Sequence, residues 1–224
     1  MLRFTKVVAV VTALLGVLLS WSAKADESAA AMVADPEFVI PEIKTEAGAV
    51  TAHEVVSQVT EEVLVIIRKV QEENADVDEA ARALDQLLSQ VVDFKFIIRG
   101  VMGRQAIKSA SKEQLQEFAA KFKEGLINTY ANGLKGFTDY QVEVIPPEQS
   151  VDGLTELPVS QKIEGPKGVF TATYSMAVSR DQQWVLRNVI LNGVNLGSQL
   201  RGQFQVSLKK NENNLDKVIA EWGA

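Results

Sequence analysis

Residues able to do acid–base, nucleophilic or metal chemistry are few in this chain and poorly grouped. His53 is the only histidine, and there is no cysteine. A catalytic imidazole needs a nucleophile or a carboxylate within hydrogen-bond reach. His53 instead opens a helical pattern in a polar setting, with no such partner suggested nearby. With one histidine and no cysteine, a metal would have to be held by carboxylates alone. Glu61-Glu62 and Glu72-Glu73 read more simply as solvated faces. No nucleophile elbow, glycine-rich phosphate loop or dinucleotide fingerprint occurs. We therefore expect no catalytic residues, no metal and no cofactor. Carboxylate pairs assembled from distant positions would escape such a reading.

Two other patterns carry chemistry. Arg99, Arg104, Lys108 and Lys112 lie beside the apolar Phe96, Ile97, Ile98 and Met102. They are either a solvated helix flank or a cationic rim, Arg99 and Arg104 in particular, facing an anionic headgroup or an acidic partner. The second pattern is apolar. Leu115, Phe118, Phe122, Leu126, Tyr130, Leu134 and Phe137 recur at steps of three and four through Ser111 to Phe137, which places them along a helix stripe. Ser111 with Gln114 forms a capping box at its start. Roughly 25 helical residues would span roughly 37 Å. A stripe this aromatic needs a large apolar partner, either protein core or a greasy ligand.

The elements that must position the stripe follow from the rest of the chain. Arg3 and Lys6, the uncharged run Val7 to Leu19, and Ala23-Lys24-Ala25 read as residues 1–25 of a cleaved signal peptide. Its removal takes away three positive charges and no acid, moving the net charge from −6 to −9. An acidic chain is a poor nucleic-acid binder, because phosphate neutralisation needs a basic patch. An exported chain without cysteine must be held by a hydrophobic core, which points to the bacterial periplasm. No later run approaches a membrane span, so a soluble mature protein is expected. Residues 26–49 are rich in Ala, Asp and Glu, carry Pro36 and Pro41, and read as a flexible leader whose one apolar cluster is Phe38-Val39-Ile40. Residues 50–224 then form one domain.

Within that domain, Thr51 to Val70 and Val77 to Val92 are helical, the first opened by a Thr51–Glu54 capping box. Asp93 to Gly103 is a short apolar helical region with glycines at 100 and 103. After the aromatic stripe the period changes to two. Tyr140–Pro146, Leu157–Glu164 (an edge strand, given Pro158), Val169–Ser179 and Trp184–Leu191 are strands, the last two paired through a turn at Asp181-Gln182. Leu196–Leu208 and Leu215–Trp222 return to helix. Helices first and antiparallel strands later give an α+β fold with a sheet of about four strands.

Together these segments resemble the MlaC family, also called toluene-tolerance auxiliary proteins. The resemblance rests on Asp93-Phe94 followed by Val101-Met102-Gly103-Arg104, then Ser111-Lys112-Glu113-Gln114 with Phe118, Phe122, Thr129-Tyr130-Ala131 and Leu134. Further on come Tyr174-Ser175-Met176, Trp184-Val185-Leu186, Asn188-Val189, Gly193-Val194-Asn195-Leu196, and Arg201, Gln203 and Phe204. It spans roughly Val50 to Trp222. The chain departs from the family at Asn188, where an aspartate is usual, at Asn195, where a serine is frequent, and at Gln199-Leu200.

The resemblance implies a twisted antiparallel sheet wrapped by several helices around a deep apolar pocket. It also implies a non-catalytic periplasmic carrier of phospholipid. Its partners would be an outer-membrane lipoprotein complex and an inner-membrane transporter of the ABC class, and its task would be to maintain outer-membrane lipid asymmetry. A monomer is expected. From the residues we expect the lining to include Phe94, Ile98, Met102, Phe118, Phe122, Leu126, Tyr130, Val142, Val144, Phe170, Tyr174 and Met176. The part of the stripe from Phe118 to Leu126 is expected to meet acyl chains. Two other classes fit the residues less well: a small periplasmic enzyme with a polar constellation in the pocket, and an adaptor whose apolar groove takes a protein segment.

Overall fold

The computed structural model describes residues 38–72, 75–137 and 139–223; the expected signal peptide and the leader up to residue 37 lie outside them. Among the described residues four helices come first: α1 (Ala52–Glu72), α2 (Val77–Val91), α3 (Phe94–Ser109) and α4 (Lys112–Gly133), the last running into a 3-10 turn at Leu134–Gly136. Strands β1 (Gln141–Val144), β2 (Glu156–Gly165), β3 (Gly168–Val178), β4 (Trp184–Leu191) and β5 (Val194–Asn195) follow, then α5 (Leu196–Lys210) and α6 (Leu215–Glu221). The strands form one antiparallel sheet in sequential order. The fold is the expected α+β, with a two-residue fifth strand added at one edge. β2 is an interior strand rather than an edge. Pro158 is tolerated because β1 pairs only with Gln161 to Glu164, so the outer side of β2 is unpaired at the proline.

Local chemistry sets the boundaries. Both expected capping boxes are present. The Glu54 backbone N–H donates to Thr51 Oγ1 at 3.2 Å while the Thr51 N–H donates to Glu54 Oε2 at 2.6 Å. Ser111 and Gln114 repeat the exchange at 3.1 and 2.9 Å. Two of the three departures from the family pattern serve as hydrogen-bond acceptors. Asn195 Oδ1 caps α5 by accepting from Ser198 N–H at 2.9 Å, and Asn188 Oδ1 accepts from Gly197 N–H at 3.1 Å. Gly197 is needed for that approach, since a Cβ there would lie 2.7 Å from Asn188 Oδ1. Of the leader, residues 38–49 pack onto the body. Phe38 and Ile43 are buried, and Trp184 N–H donates to Thr45 O at 2.7 Å.

The buried residues divide into two cores. The first joins α1, α2, the C-terminal half of α4 (Ile127, Ala131) and Leu134 to Leu157, Val159, Met176 and Trp184 of the sheet. The second is helical, joining Ile98, Val101 and Met102 of α3 to Phe118 and Phe122 of α4, Phe204 of α5, and Val218 and Ile219 of α6. Its centre is aromatic. The Phe118 ring meets Phe204 edge-on at 5.3 Å and Trp222 edge-on at 5.2 Å, while Phe122 stacks on Trp222 at 6.5 Å.

α4 therefore contributes to both cores. It packs on α2, α3 and α6 and runs in extended contact with no strand among the described residues, whereas α1 covers β1 and β2.

α3 is broken at Gly103, whose φ of 76° and ψ of 164° lie in a region reserved for glycine. A Cβ there would sit 3.5 Å from Arg201 Nη2, an ordinary contact, so the obstacle to any other residue is the backbone itself. Gly103→Ala should lower the unfolding free energy by about 1–3 kcal/mol. The change would be read as a lower urea midpoint at unchanged slope.

Candidate functional site

Register assigns each strand residue to a face, because directly opposed residues in an antiparallel pair share a side. The inner face reads in rows across the sheet. The rows are Val142–Ile163–Phe170, then Val144–Gln161–Ala172–Leu191–Val194, then Val159–Tyr174–Val189, then Leu157–Met176–Leu186, and finally Val178–Trp184. Apart from Gln161 and the Tyr174 hydroxyl, every one of these side chains is apolar. The outer face carries Thr171, Thr173, Ser175, Ser160, Lys162 and Glu164.

The alternation in β4 is interrupted. The register slips between Ser175 and Met176, leaving Arg187 as the extra residue of a bulge. Arg187 turns to Glu156 (3.2 Å), Asp93 (3.5 Å) and the Phe96 ring (4.7 Å to the guanidinium). Trp184 and Leu186 on one side of the bulge, and Val189 and Leu191 on the other, thus all face inward.

The two ends of this face differ. The rows from Leu157 to Trp184 are packed into the first core. At the other end Val142, Ile163, Phe170, Val189 and Leu191 are only half-buried and belong to neither core. Beside this end Tyr130 of α4 neighbours Tyr174 of β3. Burial raises the Tyr130 phenol above its ordinary value, and burial together with the neighbouring Tyr130 pushes Tyr174 up to about 12. Yet both residues keep accessible surface. This half-buried apolar end of the inner face, with Tyr130 and Tyr174 beside it, is the candidate site.

Its polar content is small and ordered. Tyr174 OH donates to Gln161 Oε1 at 2.7 Å, Gln161 Nε2 donates to Thr60 Oγ1 at 2.7 Å, and Thr60 Oγ1 donates to Val56 O at 2.7 Å. The Tyr130 hydroxyl has no hydrogen-bond partner among the described residues and is not closed off from accessible space.

The structure distributes the residues expected to line a pocket over three environments. Tyr130, Tyr174, Val142, Val144 and Phe170 border the open end of the inner face; Val144 and the tyrosines also touch the first core. Met176 is closed within that core. Phe118, Phe122, Ile98 and Met102 are buried in the second core, with Phe94 and Leu126 packed against it.

Arg99 and Arg104 are exposed. Arg104 lines, with Arg201, Gln205 and Asn213, a polar cleft of about 750 Å³ beside the Gly103 break that includes no strand residue. Ile163, Val189, Leu191 and Gln161 were not expected in the site. Strand alternation in Leu157–Glu164 would have pointed to Ile163 and to Gln161 as the one polar residue on an apolar side. The bulge hid Val189 and Leu191.

Among the described residues no group of three or more His, Cys, Asp or Glu gathers to hold a metal, and no helix is long and apolar enough to cross a membrane. His53 Nδ1 is buried without a partner, and burial lowers its pKa.

A family model described as "MlaC protein" matches residues 57–224. The toluene tolerance protein ttg2D of Pseudomonas putida is 33% identical over 178 residues, covering 77% of this chain and 80% of the relative. Among solved structures, a phospholipid-binding protein from Ralstonia solanacearum, determined in complex with a phospholipid, superposes with a TM-score of 0.66 at 23% identity. The match covers 78% of this chain and all of the other. This last likeness speaks to the fold.

The two environments differ in what truncation would cost. Phe118→Ala, at a fully buried site, should destabilise by about 3–5 kcal/mol. Phe170→Ala, already half-exposed, should cost well under half of that; chemical denaturation of both variants checks the contrast. The tyrosines give a pH signature. Tyr174 holds its proton to about 12 in the fold and releases it near 10 when unfolded. Its contribution is fully present below pH 10 and is lost as pH rises towards 12, a fall of about 2–3 kcal/mol. Phenolate absorbance against pH, with and without Tyr174→Phe, measures it.

Proposed function

Because the chain belongs to the MlaC family, we propose that it is a periplasmic phospholipid carrier. In this reading it moves lipid between an outer-membrane lipoprotein complex and an inner-membrane ABC-type transporter, so helping to keep the outer membrane asymmetric. The observation that carries the proposal is the half-buried apolar end of the inner sheet face, with tyrosines deep in the molecule beside it. A folded chain normally closes such a surface with its own side chains. Here α4 stands off the sheet. The relatives supply the occupant's class: one is a toluene tolerance protein and the other was determined with a phospholipid bound.

The energetics fit that task. Each methylene kept out of water is worth about 0.8 kcal/mol, so two acyl chains with roughly thirty methylenes cost on the order of 24 kcal/mol to expose. A lipid does not cross an aqueous gap alone at a useful rate. A carrier has to enclose the tails in apolar side chains and can leave the headgroup wet. The polar groups bordering the space favour binding over catalysis. Tyr130, Tyr174, Gln161 and Thr60 include no group that exchanges protons near neutral pH. The carrier acts as a monomer, with residues 50–224 as its lipid-binding body and a cleaved signal peptide for export.

The protein should be purified without detergent, extracted with organic solvent and examined by mass spectrometry. Phospholipid should be recovered from the wild type. Phe170→Glu and Val189→Glu should each lower retention about tenfold or more, because a carboxylate in the wall must be desolvated by the tails. Val206→Glu, at a 70% exposed position on α5, should leave retention unchanged. No lipid in the wild type, and none acquired from vesicles, would sink the proposal.

A further inference from the structure

A cavity away from the sheet lies at the corner where α3 breaks. The cleft of about 750 Å³ beside Gly103 is lined by both sides of the break, by α5, and by the turn that leads into α6. Its charged lining residues are Arg104 and Arg201, and no Asp or Glu is among them. Gly103 brings the two arginines together. Arg104 follows it in the chain, and the Arg201 guanidinium lies over it, with Nη2 3.5 Å from where a Cβ on Gly103 would stand. Neither arginine is in an ion pair among the described residues. Glu212 is next to Asn213 in the chain but does not line the cleft.

Two like charges in one cleft repel each other unless an anion stands between them. The chain has acids to spare, at a net charge of −6, and places none there. Its acidic balance opposes broad polyanions, which leaves a compact anion that enters the cleft. Guanidinium forks match the oxygens of phosphate and carboxylate alike, and charge decides between them. A phosphate monoester carries close to two negative charges at neutral pH, whereas a carboxylate or a phosphodiester carries one. The cleft is also much larger than a phosphoryl group and lies in the size range of sites for small organic ligands. Leu208 and Leu215 give it an apolar wall, and the side-chain amides of Gln105 and Asn213 are donors at its edge. We propose that this cleft binds the phosphate monoester of an organic ligand. The phosphoryl oxygens lie between Arg104 and Arg201, and the carbon skeleton rests on Leu208 and Leu215. No strand residue lines the cleft, so the site is separate from the apolar end of the sheet and does not rest on the carrier reading.

A soluble organic phosphate and a lipid with a bare phosphate headgroup share this chemistry, and the test has an arm for each. In the first, the full chain is titrated calorimetrically with glycerol 3-phosphate and, separately, with the diester glycerophosphoglycerol. In the second, it is floated with phosphatidylcholine vesicles containing phosphatidic acid or the same fraction of phosphatidylglycerol. In at least one arm the monoester should be preferred about tenfold. Arg104→Gln and Arg201→Gln should each weaken its binding about ten- to a hundredfold, the range of one charge-assisted hydrogen bond. Arg99→Gln, which removes an exposed charge from the same helix outside the cleft, should leave it unchanged. All three positions are exposed, and matching unfolding midpoints check that the variants fold. A preference in the first arm alone supports a soluble ligand, one in the second alone a lipid headgroup, and one in both supports recognition of the phosphoryl group wherever it is carried. Equal binding of monoester and diester in both arms, or binding of neither, overturns the inference. So does a preference that survives both arginine substitutions. Lipid recovered by solvent extraction is a separate readout, so this failure leaves the carrier reading standing.

Discussion

The structure depends on α4 being held at both ends by different partners. Its N-terminal half is locked by the Phe118–Phe122–Phe204–Trp222 aromatic cluster against α3, α5 and α6. Its C-terminal half is locked through Ile127 and Ala131 against α1 and α2. Gln71 Nε2 then ties down the exit by donating to the carbonyls of Leu134 at 3.1 Å and Phe137 at 2.7 Å. A helix fixed at two separated points cannot settle onto a third surface without breaking one of them. The hydrophobic effect would otherwise draw α4 onto the apolar sheet face. The two clamps oppose it and keep α4 from covering that face.

A binding space maintained in this way is an outcome of competition between packings. Each core is closed and conventional, with several side chains fully excluded from solvent. What remains between them is an apolar wall whose residues gain only part of the burial available to them. The unrealised part is the free energy a ligand collects on entering. The same division explains why the polar groups near the site are few and aligned. Gln161 is compensated by Tyr174 and Thr60. An uncompensated amide on this face would have opposed both folding and loading.

Much of the fold was legible in the chain because its signals are local. The serine–glutamine and threonine–glutamate boxes, the shift from period four to period two, and the turn at Asp181-Gln182 all appear where the sequence placed them. The site was less legible, and the aromatic stripe shows why. Residues spaced four apart advance by about 40° around a helix at each step. Phe118, Phe122, Leu126, Tyr130 and Leu134 therefore trace a slow spiral rather than one face. The spiral begins in the second core, passes the space near Tyr130 and ends in the first core. Periodicity identified the helix, and only the tertiary arrangement separated its wall residue from its core residues. The pairing of Ile163 with Phe170 and of Val189 with Tyr174 was hidden for the complementary reason: register is a property of two strands.

The bulge at Arg187 carries information of another kind. Without it, the alternation begun at Trp184 and Leu186 would run on through Asn188 and Ile190, and Val189 and Leu191 would turn to the outer face. The apolar character of this wall thus depends on the bulge as well as on which residues β4 carries. A point substitution in β4 alters one tile of the wall, whereas closing the bulge with all its residues kept would put Asn188 and Ile190 in the places of Val189 and Leu191.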